Sequence, residues 1–218
     1  YSLEKVWSLT TSFRAEKSKT PRHLAEFTHL EGEQAWANFE YILSVEEQLL
    51  TYIVDHVLKN NYKELESLNR DFSYLHKITP PFDRITYTDA IELLNKQGKN
   101  LKFGDDFGTD EERILTLNRD TPLFLVGAPV SAKPFYTKIN PNDEKMVLSA
   151  DILAPRGHGE ILTGGQREDN LDSLISRIKK EGFEPEDYSW YLDLRRYGSV
   201  PHSGFGFGIE RIVRWICN

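Results

Sequence analysis

The sequence predicts an α+β fold in which an antiparallel sheet is flanked by helices. Segments rich in β-branched and aromatic residues occur near the start, at Val6–Phe13 and Phe27–Glu33. A long stretch with helical periodicity follows, and the second half contains short apolar runs broken by Pro, Gly and Asn. Because the 218 residues are 39% hydrophobic and 28% charged, they have ordinary globular composition, and we expect one domain.

The first two strands are predicted to form a hairpin, since residues 17–26 contain three cations and a proline, typical of a solvent-facing loop. From Asn38 to about Asn60, apolar residues recur at helical spacing, which predicts an amphipathic helix packed against the core.

A helical, polar insertion is predicted at about 61–121. Two short helices are expected in it, one after Thr88 and one after Thr109, each preceded by a capping residue. Its charged run DDFGTDEER is most simply a solvated face, and we predict no chemistry in the insertion.

The second half predicts neighbouring strands of one antiparallel sheet at Pro122–Gly127, Lys133–Ile139, Met146–Leu153 and Gly159–Thr163. A helix over Leu171–Ile178 follows, with Asp169 or Asn170 as its cap. The run GFGFG then predicts a strand leading into a final helix, IERIVRWIC.

Charge and cysteine content limit the partners and the compartment. The net charge of −7 excludes a domain that mainly grips nucleic-acid backbones, so contacts with nucleic acid should be local. No apolar stretch is long enough to span a membrane, and we predict no membrane partner. The single cysteine, Cys217, allows no internal disulfide and is predicted to be a small buried residue, which favours a reducing, cytoplasmic location.

Arg14 follows the first apolar strand, where a guanidinium is a poor packing residue and a good bidentate phosphate ligand. The alternative is a surface ion pair with nearby Glu16. Arg22, His23 and Phe27 follow, and they could clasp a triphosphate and stack on a base.

Asp151 and Glu160 are predicted at the ends of adjacent strands, where two carboxylates could share Mg²⁺ with substrate phosphates. The sequence GGQR then offers close backbone approach followed by Arg167, although a double glycine is also typical of a bulge. In GFGFGIER, alternating glycines predict that something lies flat on the strand, and Arg211 would point at it.

The spacing of these glycines does not fit a dinucleotide-binding loop. Three arginines, two carboxylates and a glycine-lined strand favour adenylate chemistry on magnesium-bound ATP. Such chemistry needs positioning and charge stabilisation rather than a protein nucleophile.

Three separated segments resemble motifs of class II aminoacyl-tRNA synthetases. FRAEKSKTPRHLAEF is similar to motif 2 and GFGFGIER to motif 3. Within the class, RHLAEF, GEILTGGQRED and YLDLRRYGSVPHSGFGFGIER resemble asparaginyl enzymes most closely and aspartyl enzymes next. The resemblance implies the catalytic core of this class, ATP and Mg²⁺ as cofactors, and asparagine and tRNA(Asn) as substrates.

The resemblance also implies roles for individual residues. Arg14 and Arg211 would be catalytic clamps on the α- and γ-phosphates. Glu31 and Arg167 would bind the amino acid. The ATP site would comprise Arg14, Glu16, Arg22, His23, Leu24, Phe27, Glu160, Gly208 and Arg211, and the metal site Asp151, Glu160 and Thr163.

Glu31 favours asparagine, because a carboxylate accepts hydrogen bonds from a carboxamide and repels the carboxylate of aspartate. Against this, KPFYTK is similar to the aspartyl version of its strand. The alternatives are an aspartyl-tRNA synthetase, an ammonia-dependent asparagine synthetase, or a non-catalytic binding module.

The resemblance lacks several parts of the family pattern. The N-terminal anticodon-binding domain, motif 1, the loop that closes over the amino acid and the final strand have no counterpart in the sequence. We therefore expect a catalytic-domain fragment, incomplete at both ends, of a longer protein that forms a homodimer.

Overall fold

The computed structural model describes residues 3–15 and 24–217. Within these residues, one mixed sheet contains eight strands: β1 Lys5–Phe13, β2 Glu26–Ala35, β3 Asp83–Thr86, β4 Leu123–Pro129, β5 Ile139–Asn140, β6 Asp143–Ala154, β7 Gly159–Gln166 and β8 His202–Gly208. The α-helices of the same residues are α1 Phe39–Asn60, α2 Tyr62–Ser67, α3 Tyr87–Lys96, α4 Thr109–Thr116, α5 Leu171–Lys180, α6 Ser189–Arg196 and α7 Ile209–Cys217.

The strand order is β1-β2-β8-β7-β6-β4-β3, and β5 pairs with β6. All pairings are antiparallel except that of β3 with β4. The helices α3 and α4 lie between β3 and β4 in the chain, which gives the long crossover that a parallel pair requires. The predicted α+β fold is confirmed, with one parallel edge pair that the sequence analysis did not predict.

The long helix α1 covers one face of the sheet, as its periodicity predicts. Asn38 caps it by accepting a hydrogen bond from the Tyr41 amide at 2.9 Å. Its buried face packs with residues of β4, β6, β7, β8 and α7 in one core that includes Leu43, Leu50, Phe124, Ile152, Ile161, Phe207 and Trp215. The core lies between α1, α7 and the sheet, which leaves the other face of β2, β7 and β8 for a site.

The insertion has more structure than predicted. α3 begins at Tyr87 rather than after Thr88, because Thr86 is the cap and its hydroxyl accepts from the Asp89 amide at 3.1 Å. α4 begins at Thr109, close to the predicted position. The sequence analysis did not predict the short helix α2, the edge strand β3 or, later in the chain, helix α6.

The predicted strand at Lys133–Ile139 is wrong except at its last residue. A 3-10 turn at Val130–Ala132 and a turn precede the short strand β5. Pro134 lacks an amide hydrogen for a sheet ladder. The Arg177 guanidinium donates to the carbonyl of Lys133 at 2.9 Å and to that of Thr137. These carbonyls are therefore satisfied by a buried side chain rather than by a neighbouring strand.

Two further expectations about the second half have clear outcomes. Asn170 is the cap of α5, and its side chain accepts from the Ser173 amide at 2.9 Å. Cys217 is exposed at the end of α7, so the prediction that it is buried is wrong. None of the helices in the described part of the chain is long and apolar enough to cross a membrane.

Candidate active site

A cavity of about 520 Å³ lies on the face of the sheet opposite α1. Its volume is within the usual range for small-molecule sites. Nine predicted site residues line it: Arg14, Leu24, Phe27, Glu31, Glu160, Thr163, Arg167, Gly208 and Arg211. Asp151 lines an adjoining cavity of about 400 Å³, which shares Arg14, Lys133, Glu160 and Arg211 with the first. The predicted residues Glu16, Arg22 and His23 lie outside the described residues.

The β1–β2 hairpin places a cation over an aromatic ring at one end of the cavity. The Arg14 amide donates to the Ala25 carbonyl at 2.9 Å, which continues the pairing of the two strands. The Arg14 guanidinium carbon lies 5.4 Å from the centroid of the Phe27 ring. This arrangement offers a flat ring and a positive charge side by side, as a nucleotide requires.

Helix α7 is attached to β2 at the same end. The Glu210 carboxylate accepts from the Thr28 amide at 2.8 Å. The next residue, Arg211, donates from Nη1 to the Glu160 carboxylate at 2.5 Å and to its carbonyl at 3.2 Å. The first turn of α7 and β7 thus bring a cation and an acid together in an ion pair that the sequence analysis did not predict.

Glu160 is in an unfavourable place for a negative charge. Burial raises its pKa above the ordinary value, and repulsion by Asp151 raises it further, while Arg211 lowers it. The two carboxylates predicted to share a metal ion are therefore electrostatically coupled. A cation between them would relieve this repulsion.

Asp151 is held by two partners in the described structure. Lys133 Nζ donates to both of its carboxylate oxygens, at 2.9 and 3.0 Å, and the Thr163 hydroxyl also donates to it. Burial alone would lower the pKa of Lys133, but the nearby acids Asp151, Glu160 and Asp106 together outweigh burial and raise it. Lys133 is therefore charged, and it is a site residue that the sequence analysis missed.

These residues fit a Mg²⁺ ion only in combination with a substrate. Two carboxylates and a hydroxyl are hard oxygen donors of the type that Mg²⁺ prefers. Among residues 3–15 and 24–217, no group of three or more His, Cys, Asp and Glu side chains is arranged to hold a metal ion. The protein would thus supply part of a coordination shell, which matches a metal that arrives bound to phosphates.

At the opposite end of the cavity, Arg167 forms an ion pair with Glu33. Arg167 Nη2 and Nε lie 2.5 and 3.0 Å from Glu33 Oε1. The Arg167 guanidinium also lies over the Tyr136 ring, 5.4 Å from its centroid. The contact fixes the guanidinium, so Glu33 positions the side chain predicted to bind the amino acid.

His29, Glu31 and Glu33 share one face of β2, because side chains alternate along a strand. The side chain of Glu31 is 52% exposed and lies 3.5 Å from His29 Nδ1. His29, which the sequence analysis did not place in the site, also lines the cavity. The same period of two could have identified Glu33 from the sequence.

The glycines of β8 lie opposite these side chains. Gly204, Gly206 and Gly208 pair with Glu33, Glu31 and His29. A Cβ at Gly204 would lie 2.2 Å from the Glu33 carboxyl carbon, and one at Gly206 would lie 2.8 Å from His29. What lies flat on these two glycines is therefore the side chains of β2. At Gly208 the nearest atom would be 3.8 Å away, so this position leaves room for a ligand.

The insertion contributes to the site, contrary to the prediction that DDFGTDEER is only a solvated face. Asp105, Asp106 and Glu112 line the adjoining cavity, and Glu112 is buried. Glu112 lies on the same face of α4 as Leu115 and Thr116, which are also buried. Helical periodicity in α4 was the sequence signal that could have identified it.

Comparison with known proteins assigns the chain to a family. The family described as tRNA synthetases class II (D, K and N) matches residues 1–218. The chain belongs to this class II synthetase family. The predicted resemblance is confirmed, and the cavity is the candidate active site of a class II synthetase catalytic core.

Relatives at high identity are named for asparagine. The asparagine–tRNA ligase of Pyrococcus abyssi is 56% identical over 216 residues, which are 99% of this chain and 50% of that protein. The enzyme of the same name from Thermoplasma acidophilum is 48% identical, with the same coverage. This class II synthetase chain thus spans about half the length of the curated relatives it matches.

Solved structures agree with the sequence relatives. The crystal structure of asparaginyl-tRNA synthetase from Pyrococcus horikoshii complexed with asparaginyl-adenylate has a TM-score of 0.96 and 55% identity, covering 99% of this chain and 50% of that one. An aspartyl-tRNA synthetase from Entamoeba histolytica has a TM-score of 0.88 and 33% identity, covering 98% and 45%. The preference for the asparaginyl enzymes over the aspartyl enzymes agrees with the sequence prediction.

Proposed function

We propose that the protein to which this chain belongs activates asparagine with ATP as asparaginyl-adenylate and transfers it to tRNA(Asn). The observation that carries the proposal is the arrangement of charged groups along two adjoining cavities. Arg14, Phe27 and Arg211 lie at one end, and Arg167, held by Glu33, lies at the other. The relatives named asparagine–tRNA ligase support asparagine as the substrate.

In the proposed first step, a carboxylate oxygen of asparagine forms a bond to the α-phosphorus of ATP. The bond from that phosphorus to the bridging oxygen breaks, and pyrophosphate leaves. Arg14 lies against the Phe27 ring, where it would contact the α-phosphate of a nucleotide stacked on that ring. Arg14 and Arg211 would thus offset the charge that develops on the phosphates, and no protein nucleophile is needed.

Asp151, Glu160 and Thr163 would hold Mg²⁺, which when bound would neutralise phosphate charge. In the structure Lys133 contacts Asp151 at 2.9 Å, and Arg211 contacts Glu160 at 2.5 Å. They keep the carboxylates facing the cavities when no nucleotide is bound. Leu24 and Gly208 would border the adenine, and Glu16, Arg22 and His23 remain predicted ATP ligands.

Selection of asparagine rests on polar groups at the other end of the cavity. The guanidinium of Arg167 would donate to the carbonyl oxygen of the substrate side chain. Glu31, on the cavity face of β2, would accept from the amide nitrogen and repel an aspartate carboxylate. A site built on such hydrogen bonds discriminates more strongly than one built on size.

The remaining predictions concern the whole protein. We propose that it acts as a homodimer in the cytoplasm and that the chain is one catalytic domain, with its polar insertion at about 61–121. An aspartyl-tRNA synthetase is the second candidate, because the Entamoeba histolytica structure shares the fold at 33% identity.

The transfer reaction tests the proposal. Full-length protein, ATP, Mg²⁺ and total tRNA are incubated with labelled asparagine or labelled aspartate, and acid-insoluble label is counted. We expect label from asparagine on tRNA(Asn). Label from aspartate alone would replace the substrate, and ammonia-dependent formation of free asparagine without labelled tRNA would overturn the proposal.

A further inference from the structure

The segment from Lys102 to Thr116 forms a wall of the candidate active site that its sequence does not predict. Its residues 105–109 and Glu112 line the cavity of about 400 Å³ together with Lys133, Asp151 and Arg211. Most of its charged side chains are exposed, but Glu112 is only 3% exposed. A buried carboxylate costs free energy unless its hydrogen bonds are satisfied, so its partner matters.

The segment is anchored to the insertion by Tyr87. The Tyr87 hydroxyl donates to the Asp105 carbonyl at 2.6 Å and accepts from the Gly104 amide at 3.0 Å. The Phe107 ring stacks on the Tyr87 ring with 5.1 Å between centroids. These contacts fix the loop that leads into α4.

Glu111, the residue before Glu112, fixes the start of α4. The Glu111 carboxylate accepts from the Gly108 amide at 3.1 Å and pairs with Lys99 at 2.7 Å. This capping arrangement determines where the first turn of α4 lies. Glu112, the next residue, is thereby directed away from solvent and toward β7.

The carboxylate of Glu112 accepts a hydrogen bond from the Glu160 amide at 2.7 Å. The pairing of β6 with β7 shifts register here, since Ile152 pairs with Leu162 but Leu153 pairs with Glu160. The extra residue is Ile161, which makes a β-bulge. Bulges next to active sites redirect a side chain, and Glu112 holds the main chain on one side of this bulge.

We propose that Glu112 is a positioning residue for nucleotide binding, because it fixes the bulged backbone from which the Glu160 carboxylate meets Arg211. The proposal rests on the proposed function of the site. Glu112 acts through Glu160 and lines the cavity of about 400 Å³, whereas Glu33 and Arg167 line the cavity of about 520 Å³. It therefore affects ATP rather than the amino acid.

The test uses the full-length protein and three variants. Glu112→Ala removes the acceptor, and Glu112→Gln keeps an acceptor oxygen of the same reach. Glu111→Gln is the matched control, because it alters the adjacent carboxylate, which caps α4 without touching β7. Each variant is measured for the KM of ATP, the KM of asparagine and kcat in pyrophosphate exchange, and for its thermal midpoint.

We expect Glu112→Ala to raise the KM of ATP or lower kcat by about 10-fold or more, as for loss of other residues that orient ligands. The KM of asparagine should change less than about twofold, and Glu112→Gln should restore most of the loss. Glu111→Gln should lower only the thermal midpoint. Equal changes in both KM values, or a Glu112→Ala variant that loses stability alone, would overturn the proposal.

Two outcomes need a second measurement. If Glu112→Ala does not fold, Glu112→Asp replaces it, because this change withdraws the carboxylate by one methylene. The KM of ATP, kcat and the KM of asparagine are then expected to change in the same directions as for Glu112→Ala. If wild-type protein does not catalyse exchange, the proposed function fails, and equilibrium binding of ATP to the same variants still tests Glu112. Weakened ATP binding in Glu112→Ala but not in Glu112→Gln would support its role, and unchanged binding would overturn it.

Discussion

Glu46 of α1 lies directly beneath Gly164 of β7. A Cβ added at Gly164 would come 1.9 Å from Glu46 Oε1, and Glu46 itself is 0% exposed. Neither of its carboxyl oxygens has a hydrogen-bond partner among the described residues. The segment GGQR, for which the sequence analysis considered ligand approach or a bulge, thus makes room for a side chain from the opposite face of the sheet.

The first prediction concerns this contact. Gly164→Ala should destabilise the protein by about 1–3 kcal/mol, because the new methyl group overlaps a fully buried side chain that cannot move into solvent. Thermal or urea unfolding of the full-length protein measures the effect. The double variant Glu46→Ala, Gly164→Ala should be less destabilised than the sum of the two single variants. Strict additivity would mean that the two residues do not interact.

The second prediction concerns pH. Burial raises the pKa of Glu46 well above its ordinary value of 4.5, and repulsion by Asp151 and Glu47 adds to this, while Arg167 opposes it. The folded state therefore holds a proton that the unfolded state releases as the pH rises above 4.5. The stability that this group contributes is present at low pH and is lost as the pH rises through its folded pKa.

Glu46→Gln should remove this loss of stability at high pH, since the amide side chain of Gln does not titrate. The thermal midpoint of Glu46→Gln relative to wild type should therefore be higher at pH 8 than at pH 5. Glu64→Gln is the control, because it also removes a carboxylate but Glu64 is exposed on α2. A difference between Glu46→Gln and wild type that is the same at both pH values would contradict the assignment.

The third prediction concerns Arg14. Arg14→Ala should lower the rate of adenylate formation by about 10²–10³-fold, as expected when a charged group aimed at developing charge is removed. Single-turnover kinetics with ATP and asparagine measure this step. Arg119→Ala is a suitable control, since Arg119 pairs with Asp83 at the β3 edge of the sheet. A rate for Arg14→Ala within about threefold of wild type would remove Arg14 from the reaction.

The fourth prediction concerns the choice of amino acid. Glu31→Asp should shift the ratio of kcat/KM for asparagine over aspartate toward aspartate, because the shorter carboxylate withdraws from the substrate side chain. Glu33→Gln should instead weaken activation of both amino acids, because Glu33 holds Arg167. An unchanged ratio in Glu31→Asp would exclude Glu31 as the selecting residue.

Much of the fold could be predicted from local pattern. The strands β1, β2, β6, β7 and β8 could be predicted from local residue composition and turn residues, and the helix α1 from its helical spacing. The strand predicted at Lys133–Ile139 failed because Arg177, 40 or more residues away in the chain, satisfies the carbonyls of Lys133 and Thr137. The parallel partner strand β3 has only four residues, too few for a periodic signal.

The candidate site also contains residues that could be identified from the sequence and residues that could not. Motif residues such as Arg14 and Arg211 could be identified because an unusual residue type stands at a strand end or helix start. Lys133 could not, since its role is defined by a partner distant in sequence, Asp151. For Glu112, helical periodicity could indicate burial on α4, but not its partner, the Glu160 amide. Glu46 looks like any acid on a helix until the glycine opposite it is known.

Pyrophosphate exchange by the full-length protein tests the central claim most directly. Labelled pyrophosphate, ATP and Mg²⁺ are supplied with asparagine or aspartate in parallel, and label in ATP is counted. We predict exchange that depends on asparagine, with aspartate giving little. Exchange with aspartate alone would contradict the assignment of Glu31, and exchange with neither amino acid would contradict adenylate chemistry at this site.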